Sequence, residues 1–327
     1  MSAAPGRPKQ ARTAARMGEG TLMNTAPNPP ASTSVARLVD RSARMLEVAD
    51  VSFGHGTENA WDEAAWLVLW QLGLPLATEL DDPTLARPTP DQLVAVERLI
   101  TRRITSRQPA AYLTGEAWLQ GVPFFADQRC IVPRSLIAEP LVSGGLDSWL
   151  VDDSTAVLDM CTGGASLAIL AAMAWPIVLV DACDVSASAL EVAASNVARH
   201  GLQSRVRLLQ GDGMCAAAGC YDLVLCNPPY VNNHSMAGLP AEYRAEPALA
   251  LAGGSDGMDF IRTLLRDAPA RMQPQAALVL EIGNERSHFA AAFPGLDAVW
   301  LDTSAGCDQV CVLTRDALVA AAGGQRD

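Results

Sequence analysis

What this sequence does not contain narrows its class before any motif is read. It has no run of about 18 apolar residues, so no helical membrane span is expected. No apolar stretch separates the first basic residues from a cleavage site, which argues against secretion. Eight cysteines stand at 130, 161, 183, 215, 220, 226, 307 and 311, without C-x-x-C or Cys/His ligand spacing. Reduced core thiols are therefore expected, not disulfides or zinc. Positive charge is also short: 24 Lys and Arg against 36 Asp and Glu leave a net charge of -12. That balance argues against a wide phosphate clamp and suits a basic protein partner.

What is present is an apolar content of 50% in 327 residues, ample for two domains with their own cores. The apolar run Tyr221 to Cys226 reads as a buried strand, and it ends in Asn227, Pro228, Pro229 and Tyr230. An amide and two prolines at a strand end suit the methylation of a planar, weakly nucleophilic nitrogen. The Asn227 side-chain oxygen and the Pro228 carbonyl are candidates to accept that nitrogen's two protons. Proline φ angles would hold the acceptors still, and Tyr230 offers a ring against the flat group. The same residues also occur in ordinary strand exits.

Upstream, the strand from Val157 turns through Gly163 and Gly164 into the helix Leu167 to Met173. A second strand, Pro176 to Asp181, leads to Asp184, 21 residues beyond Gly163. That is about the 20-residue spacing at which a carboxylate meets ribose hydroxyls. A complete G-x-G-x-x-G is lacking, because Ala165 stands where a further glycine is expected. A nucleoside ligand without pyrophosphate therefore fits better, and S-adenosylmethionine is the candidate. Asp212, after the strand Arg205 to Gln210, is either an adenine contact or a solvated turn residue.

Taken together, Asp159 to Gly163, Asp184 to Ser186, Asn227 to Tyr230 and Leu239 to Pro247 resemble the protein-glutamine methyltransferases that modify translation components. Gly54 to Glu63, and Ala110 to Trp118 with Val132 to Ser135 and Ile137 to Glu139 following, resemble the PrmB type. That type methylates a glutamine of large-subunit ribosomal protein number three. The likeness runs from about Val35 to about Ala317. It implies a doubly wound, mostly parallel, seven-stranded Rossmann-like class I methyltransferase sheet with a small N-terminal helical domain. It also implies a cytoplasmic enzyme using S-adenosylmethionine.

In that family's terms Asp159, Gly163 and Gly164 face the methionine end of the cofactor, with Thr162 in the same set. Asp184 meets the ribose and Asp212 the adenine. Asn227 and the Pro228 carbonyl bind the glutamine amide, flanked by Pro229 and Tyr230, and Asn227 also borders the cofactor. Two departures stand out: Ala165, whose methyl is expected to crowd the cofactor, and Ala245, where a histidine is common.

The domain reading is an extension over 1–33, a helical substrate-recognition domain over 34–120, a hairpin linker over 121–135, the catalytic domain over 136–320 and a tail over 321–327. The extension, with Arg7, Lys9, Arg12 and Arg16, reads as disordered. It is either a basic arm or dispensable. Helices are expected around Val35 to Leu46, after an Asn59 cap, and from Asp91 to Ser106. His55 reads as a turn residue, and Trp61, Trp66 and Trp70 as packing. Phe124 to Val132 reads as the hairpin, and Arg134 either meets an acid near the cofactor mouth or forms a surface ion pair. A helix over Asp256 to Arg266, a buried strand over Ala276 to Gly283, and a terminal pair, Ala298 to Leu301 with Gln309 to Leu313, complete the sheet. The loop Val231 to Gly254 is expected to lie over the amide site as a lid.

Three other functions remain open on the sequence. A release-factor glutamine methyltransferase shares the site. A nucleic-acid amine methyltransferase shares the tetrapeptide, though this chain is acidic and shows no target-reading domain. A non-catalytic assembly factor would be supported by Ala165.

Overall fold

The computed structural model describes residues 33–150, 155–217 and 219–323; the extension expected over residues 1–33, all but its last residue, lies outside them, as do the last four residues. Four helices come first: α1 (Val35–Val48), α2 (Ala60–Leu72), α3 (Pro90–Ser106) and α4 (Ala110–Thr114). Local chemistry sets their ends. Ser34 and Asn59 accept from Arg37 N and Asp62 N, and Thr89 forms a reciprocal capping box with Gln92 ahead of Pro90. Leu38, Val39, Leu46, Leu67, Val68 and Ile100 meet in one core.

A hairpin follows, β1 (Glu116–Leu119) and β2 (Val122–Phe125), paired antiparallel from Glu116 against Phe125 to Leu119 against Val122. It lies upstream of the expected Phe124 to Val132. Gln120 and Gly121, both at positive φ, form the tight turn that periodicity alone did not reveal. The hairpin region serves two cores: Ala117 joins the helical one, while Phe124 packs with Ile137 and Leu141 under the sheet.

Thereafter come α5 (Ala138–Val142), β3 (Ala156–Met160), α6 (Ser166–Ala174), β4 (Leu179–Asp184), α7 (Ala187–Arg199), β5 (Val206–Gln210) and β6 (Tyr221–Cys226). Next are α8 (Asn233–Gly238), α9 (Ala241–Arg244), α10 (Asp259–Asp267), β7 (Met272–Glu281), α11 (Arg286–Ala292), β8 (Val299–Thr303), β9 (Gly306–Thr314) and α12 (Arg315–Gly323). The seven strands run in the order β5-β4-β3-β6-β7-β9-β8. The first five are parallel, and β9 is antiparallel to both β7 and β8.

Strand β4 starts three residues later than its apolar run suggests. Pro176 lacks an N–H for the ladder, and Ile177 is left 67% exposed. Asp184 is thus the last strand residue rather than a residue beyond it. Among the described residues no helix is long and apolar enough to cross a membrane.

Candidate functional site

The sheet reverses its winding at β3, with β4 on one side and β6 on the other, which opens a crevice beyond the carboxyl ends of the strands. The chain leaves β3 through a turn in which Cys161 (φ 60°), Gly163 (φ 53°) and Ala165 (φ 63°) are all left-handed. For the two non-glycines this costs about 1 kcal/mol each. The turn is fastened by Thr162 N donating to Cys183 O at 2.9 Å and Gly163 N donating to Asp184 Oδ2 at 2.8 Å. Asp184 Oδ1 accepts from Ser186 N at 2.8 Å. One carboxylate thereby ties together the ends of β3 and β4 while keeping lone pairs for a ligand.

A cavity of about 160 Å³ fills this crevice. Gly163, Asp184, Asp212, Asn227 and Pro229 all line it, together with Met160, Cys161, Phe260, Pro247, Leu249 and Ala250. Asp212 is exposed and its side chain caps nothing. A larger, open depression of about 790 Å³ lies on the outer face of α1, lined by Arg37, Arg41 and Arg44 with Met45, Val48 and Ile104. None of the motif residues reaches it. Convergent chemistry, not size, marks the smaller cavity as the site.

The other expected residues do not line the cavity. Asp159 is 1% exposed, and its Oδ2 accepts from Thr162 Oγ1 at 2.5 Å and from Ala168 N at 3.0 Å. Burial pushes this carboxyl up to about 7, against the pull of those two donors. Asp159 and Thr162 shape the turn from behind and hold the start of α6. Gly164 gives its carbonyl to Asn196 Nδ2 at 2.9 Å. Pro228 is buried. The Tyr230 hydroxyl donates to Glu281 Oε1 at 3.1 Å.

Ala165 does not crowd the cavity. It is fully buried in the core beneath the sheet, beside Leu167 and Ala168, so its burden is a left-handed backbone rather than a methyl in the ligand's way.

Several residues of the site's support were not singled out from sequence. Asn196, fully buried on α7, accepts from Phe125 N at 2.7 Å and donates to Phe125 O at 3.1 Å as well as to Gly164 O. A polar residue between Ala193 and Val197 on a buried helical stripe was its visible signal. Glu281 ends the apolar run of β7. It accepts from Ser135 Oγ at 2.6 Å and Leu136 N at 2.9 Å through Oε2, and from Tyr230 through Oε1.

The segment after the tetrapeptide is braced rather than free. Residues 231 and 252 form a β-bridge, and α8 and α9 lie between them. From α9, Glu242 accepts from Arg103 Nη1 at 3.2 Å and Arg107 Nη1 at 3.3 Å. Arg103, fully buried, also donates to Glu63 Oε1 at 2.7 Å and Ser52 O at 3.0 Å. Just beyond α9, Glu246 takes a two-pronged contact from Arg134 at 2.5 and 2.6 Å and a bond from Val132 N at 2.9 Å. Burial works to raise the Glu246 carboxyl, but Arg134 and His55 prevail and hold it at about 2. Arg134 thus meets an acid, as the first of its two readings expected, in a buried rather than a surface pair, and the next residue after that acid, Pro247, lines the cavity. His55 is buried against Tyr243 with ring centroids 4.3 Å apart. Its Nε2 stands 3.4 Å from Glu246 Oε2 without hydrogen-bond geometry. Of the tryptophans, Trp66 is 8% exposed and packs, whereas Trp61 and Trp70 are half exposed on the helical face.

The chain is similar to known methyltransferases. Residues 146–242 match the family described as the methyltransferase small domain. A ribosomal protein uL3 glutamine methyltransferase from Bordetella pertussis is 55% identical over 284 residues, covering 86% of this chain and 95% of the relative. Another of the same name, from Burkholderia pseudomallei, is 48% identical over 311 residues, covering 92% of this chain and all of the relative. Among solved structures, a methyltransferase from Pyrococcus furiosus superposes with a TM-score of 0.42 at 18% identity, over 60% of this chain and 90% of that one. By its likeness to these curated relatives over most of its length, the chain belongs to the ribosomal protein uL3 glutamine methyltransferase family.

Proposed function

We propose that this enzyme transfers the methyl group of S-adenosylmethionine to the side-chain amide nitrogen of a glutamine in ribosomal protein uL3. The observation that carries the proposal is a single cavity in which Asn227 and Pro229, from the end of β6, stand with Gly163, Asp184 and Asp212. The nucleoside and the acceptor nitrogen thus have one meeting place.

The cavity suits the cofactor by its donor set. Asp184 is fixed by two backbone N–H groups and presents its remaining lone pairs to ribose hydroxyls. Asp212 offers an acceptor to an adenine amine, and the turn over Thr162, Gly163 and Gly164, backed by Asp159, approaches the methionine end. Bound there, S-adenosylmethionine supplies an already activated methyl group. The chain's own work is then alignment and exclusion of water. Asn227 Oδ1 and the Pro228 carbonyl hold the two amide protons, Pro229 flanks the amide plane, and Tyr230 packs beside them just outside the cavity lining. Pro247, Leu249 and Ala250 form the apolar wall that keeps water out. No strong base is needed, because the methylated amide becomes acidic and releases its proton to Asn227, a carbonyl or water.

The helical part over 34–120 serves as the recognition domain, the stretch over 121–135 as the linker and 136–320 as the catalytic domain. The net charge of -12 favours approach of a basic ribosomal protein, free or in an assembling subunit in the cytoplasm. Asn227→Ala is expected to lower turnover by a factor of about 100 or more, while calorimetric affinity for S-adenosylmethionine changes little. Unchanged turnover would remove Asn227 from its assigned role.

A further inference from the structure

The Tyr230 ring sits in a slot that the rest of the molecule is shaped to maintain. Its floor is Gly283, at φ 52°, where a side-chain Cβ would fall 2.5 Å from Tyr230 Cε2 and 2.9 Å from Cζ. The backbone carbonyl of Tyr230 occupies the place that a side chain on Gly257 would take. At the far end of the ring stands Glu281, 4% exposed. Its oxygens accept from the Tyr230 hydroxyl, the Ser135 hydroxyl and the Leu136 N–H. A buried carboxylate with three donors is costly to displace, because each donor would lose a charge-assisted bond. Burial raises both the Glu281 carboxyl and the Tyr230 hydroxyl, for which the neighbouring carboxylate is a further cause.

We infer that Glu281 is a positioning residue of the reaction: through the hydroxyl of Tyr230 it fixes that ring just behind the cavity wall, and so the course of the adjoining backbone that carries Asn227 and Pro229 into the cavity. The inference rests on the glutamine-methylation reading. Glu281 itself does not line the cavity and touches neither substrate nor cofactor. It acts at the end of β7, while the ring it holds comes from the loop after β6, and the serine that holds it in turn comes from the segment before α5. Three separate stretches of chain therefore agree on one ring orientation. In Glu281→Gln the amide oxygen still accepts from Ser135 and Leu136, and its NH2 group donates to the Tyr230 oxygen. Orientation is then kept without charge. In Glu281→Ala the ring loses its anchor.

The test uses the full chain with purified ribosomal protein uL3 and labelled S-adenosylmethionine, supplemented by fluorine NMR of protein carrying 3-fluorotyrosine. With only four tyrosines, the Tyr230 resonance is assignable from Tyr230→Phe. Glu281→Ala is expected to lower kcat about 10- to 100-fold, with affinity for S-adenosylmethionine within about twofold, and to shift or broaden the Tyr230 signal. Glu281→Gln is expected to restore most of both. Tyr230→Phe combined with Glu281→Ala should be no slower than the slower single variant, since both remove one interaction. Should the alanine variant fail to fold, Glu281→Leu keeps the volume without the acceptors and takes its place.

Independent, multiplying effects on kcat would overturn the inference. So would an unmoved Tyr230 resonance in Glu281→Ala, or a parallel loss of cofactor affinity. If wild-type protein methylates no uL3, the glutamine reading fails, while the NMR arm still decides whether Glu281 orients the ring.

Discussion

The cavity and the junction between the helices and the sheet are built from opposite materials. The cavity joins a backbone turn to an apolar wall: three left-handed residues, amide N–H groups gathered by Asp184, side chains such as Met160, Leu249 and Phe260, and few charged groups. The junction is charge: Arg103 with Glu63 and Glu242, and Arg134 with Glu246, nearly all sealed from solvent. A site that must bind and release keeps acceptors open and local strain in its turn. A junction that must hold the wall of that site in place spends every charge on a partner. The two are joined directly, because Glu246 is followed by Pro247, which lines the cavity.

The contrast breaks most severely at Arg103. Replacing it with alanine leaves buried Glu63 without its cation and Glu242 with Arg107 alone, and a loss of about 3–5 kcal/mol is expected in denaturant unfolding. A loss under about 1 kcal/mol would show that the junction is not held by charge. Glu246 gives the same comparison a pH axis. Its carboxyl is depressed to about 2 in the fold from an ordinary 4.5. Its contribution, about 3 kcal/mol at most, is therefore fully present above pH 4.5 and disappears as pH falls towards 2. Thermal melts of wild type and Glu246→Gln should differ most at neutral pH and converge in acid.

On the cavity side, Asp184→Asn is expected to weaken calorimetric affinity for S-adenosylmethionine about tenfold, or roughly 1.4 kcal/mol, with a smaller effect on melting than Arg103→Ala. The smallest effect belongs to Ala165→Gly. Relief of the left-handed alanine offsets loss of a buried methyl and a freer unfolded chain, so the melt should move by about 1 kcal/mol or less. Affinity should stay within about twofold on this account; a clear gain would revive crowding of the cofactor. With its methyl turned into the core, Ala165 no longer favours a non-catalytic assembly factor.

Much of the cavity was legible because its signals are local. A strand running into Asn227 to Tyr230, a glycine turn and an acid 21 residues on can be seen in a short window, and all three reach one crevice. What was not legible lies in the direction of side chains and in distant pairings. Asp159 carries an acidic side chain at a strand end, yet its turn faces it inward to Thr162. Arg103 pairs with Glu242 across 139 residues and Arg134 with Glu246 across 112. No periodicity records such partners. The loop after Tyr230 reads as a cover from its length, and Pro247, Leu249 and Ala250 do wall the cavity; what its length does not record is the set of pairings that brace it. The hairpin was displaced for a similar reason: Gln120 accepts a left-handed turn that its residue type does not advertise.

The most direct test is to incubate the purified enzyme and labelled S-adenosylmethionine with ribosomal protein uL3 and with release factor in parallel, and to locate the label by mass spectrometry. The expected outcome is one methyl group on a glutamine side chain of uL3 and none on release factor. Label on release factor alone, or on neither with cofactor binding also absent, would contradict it.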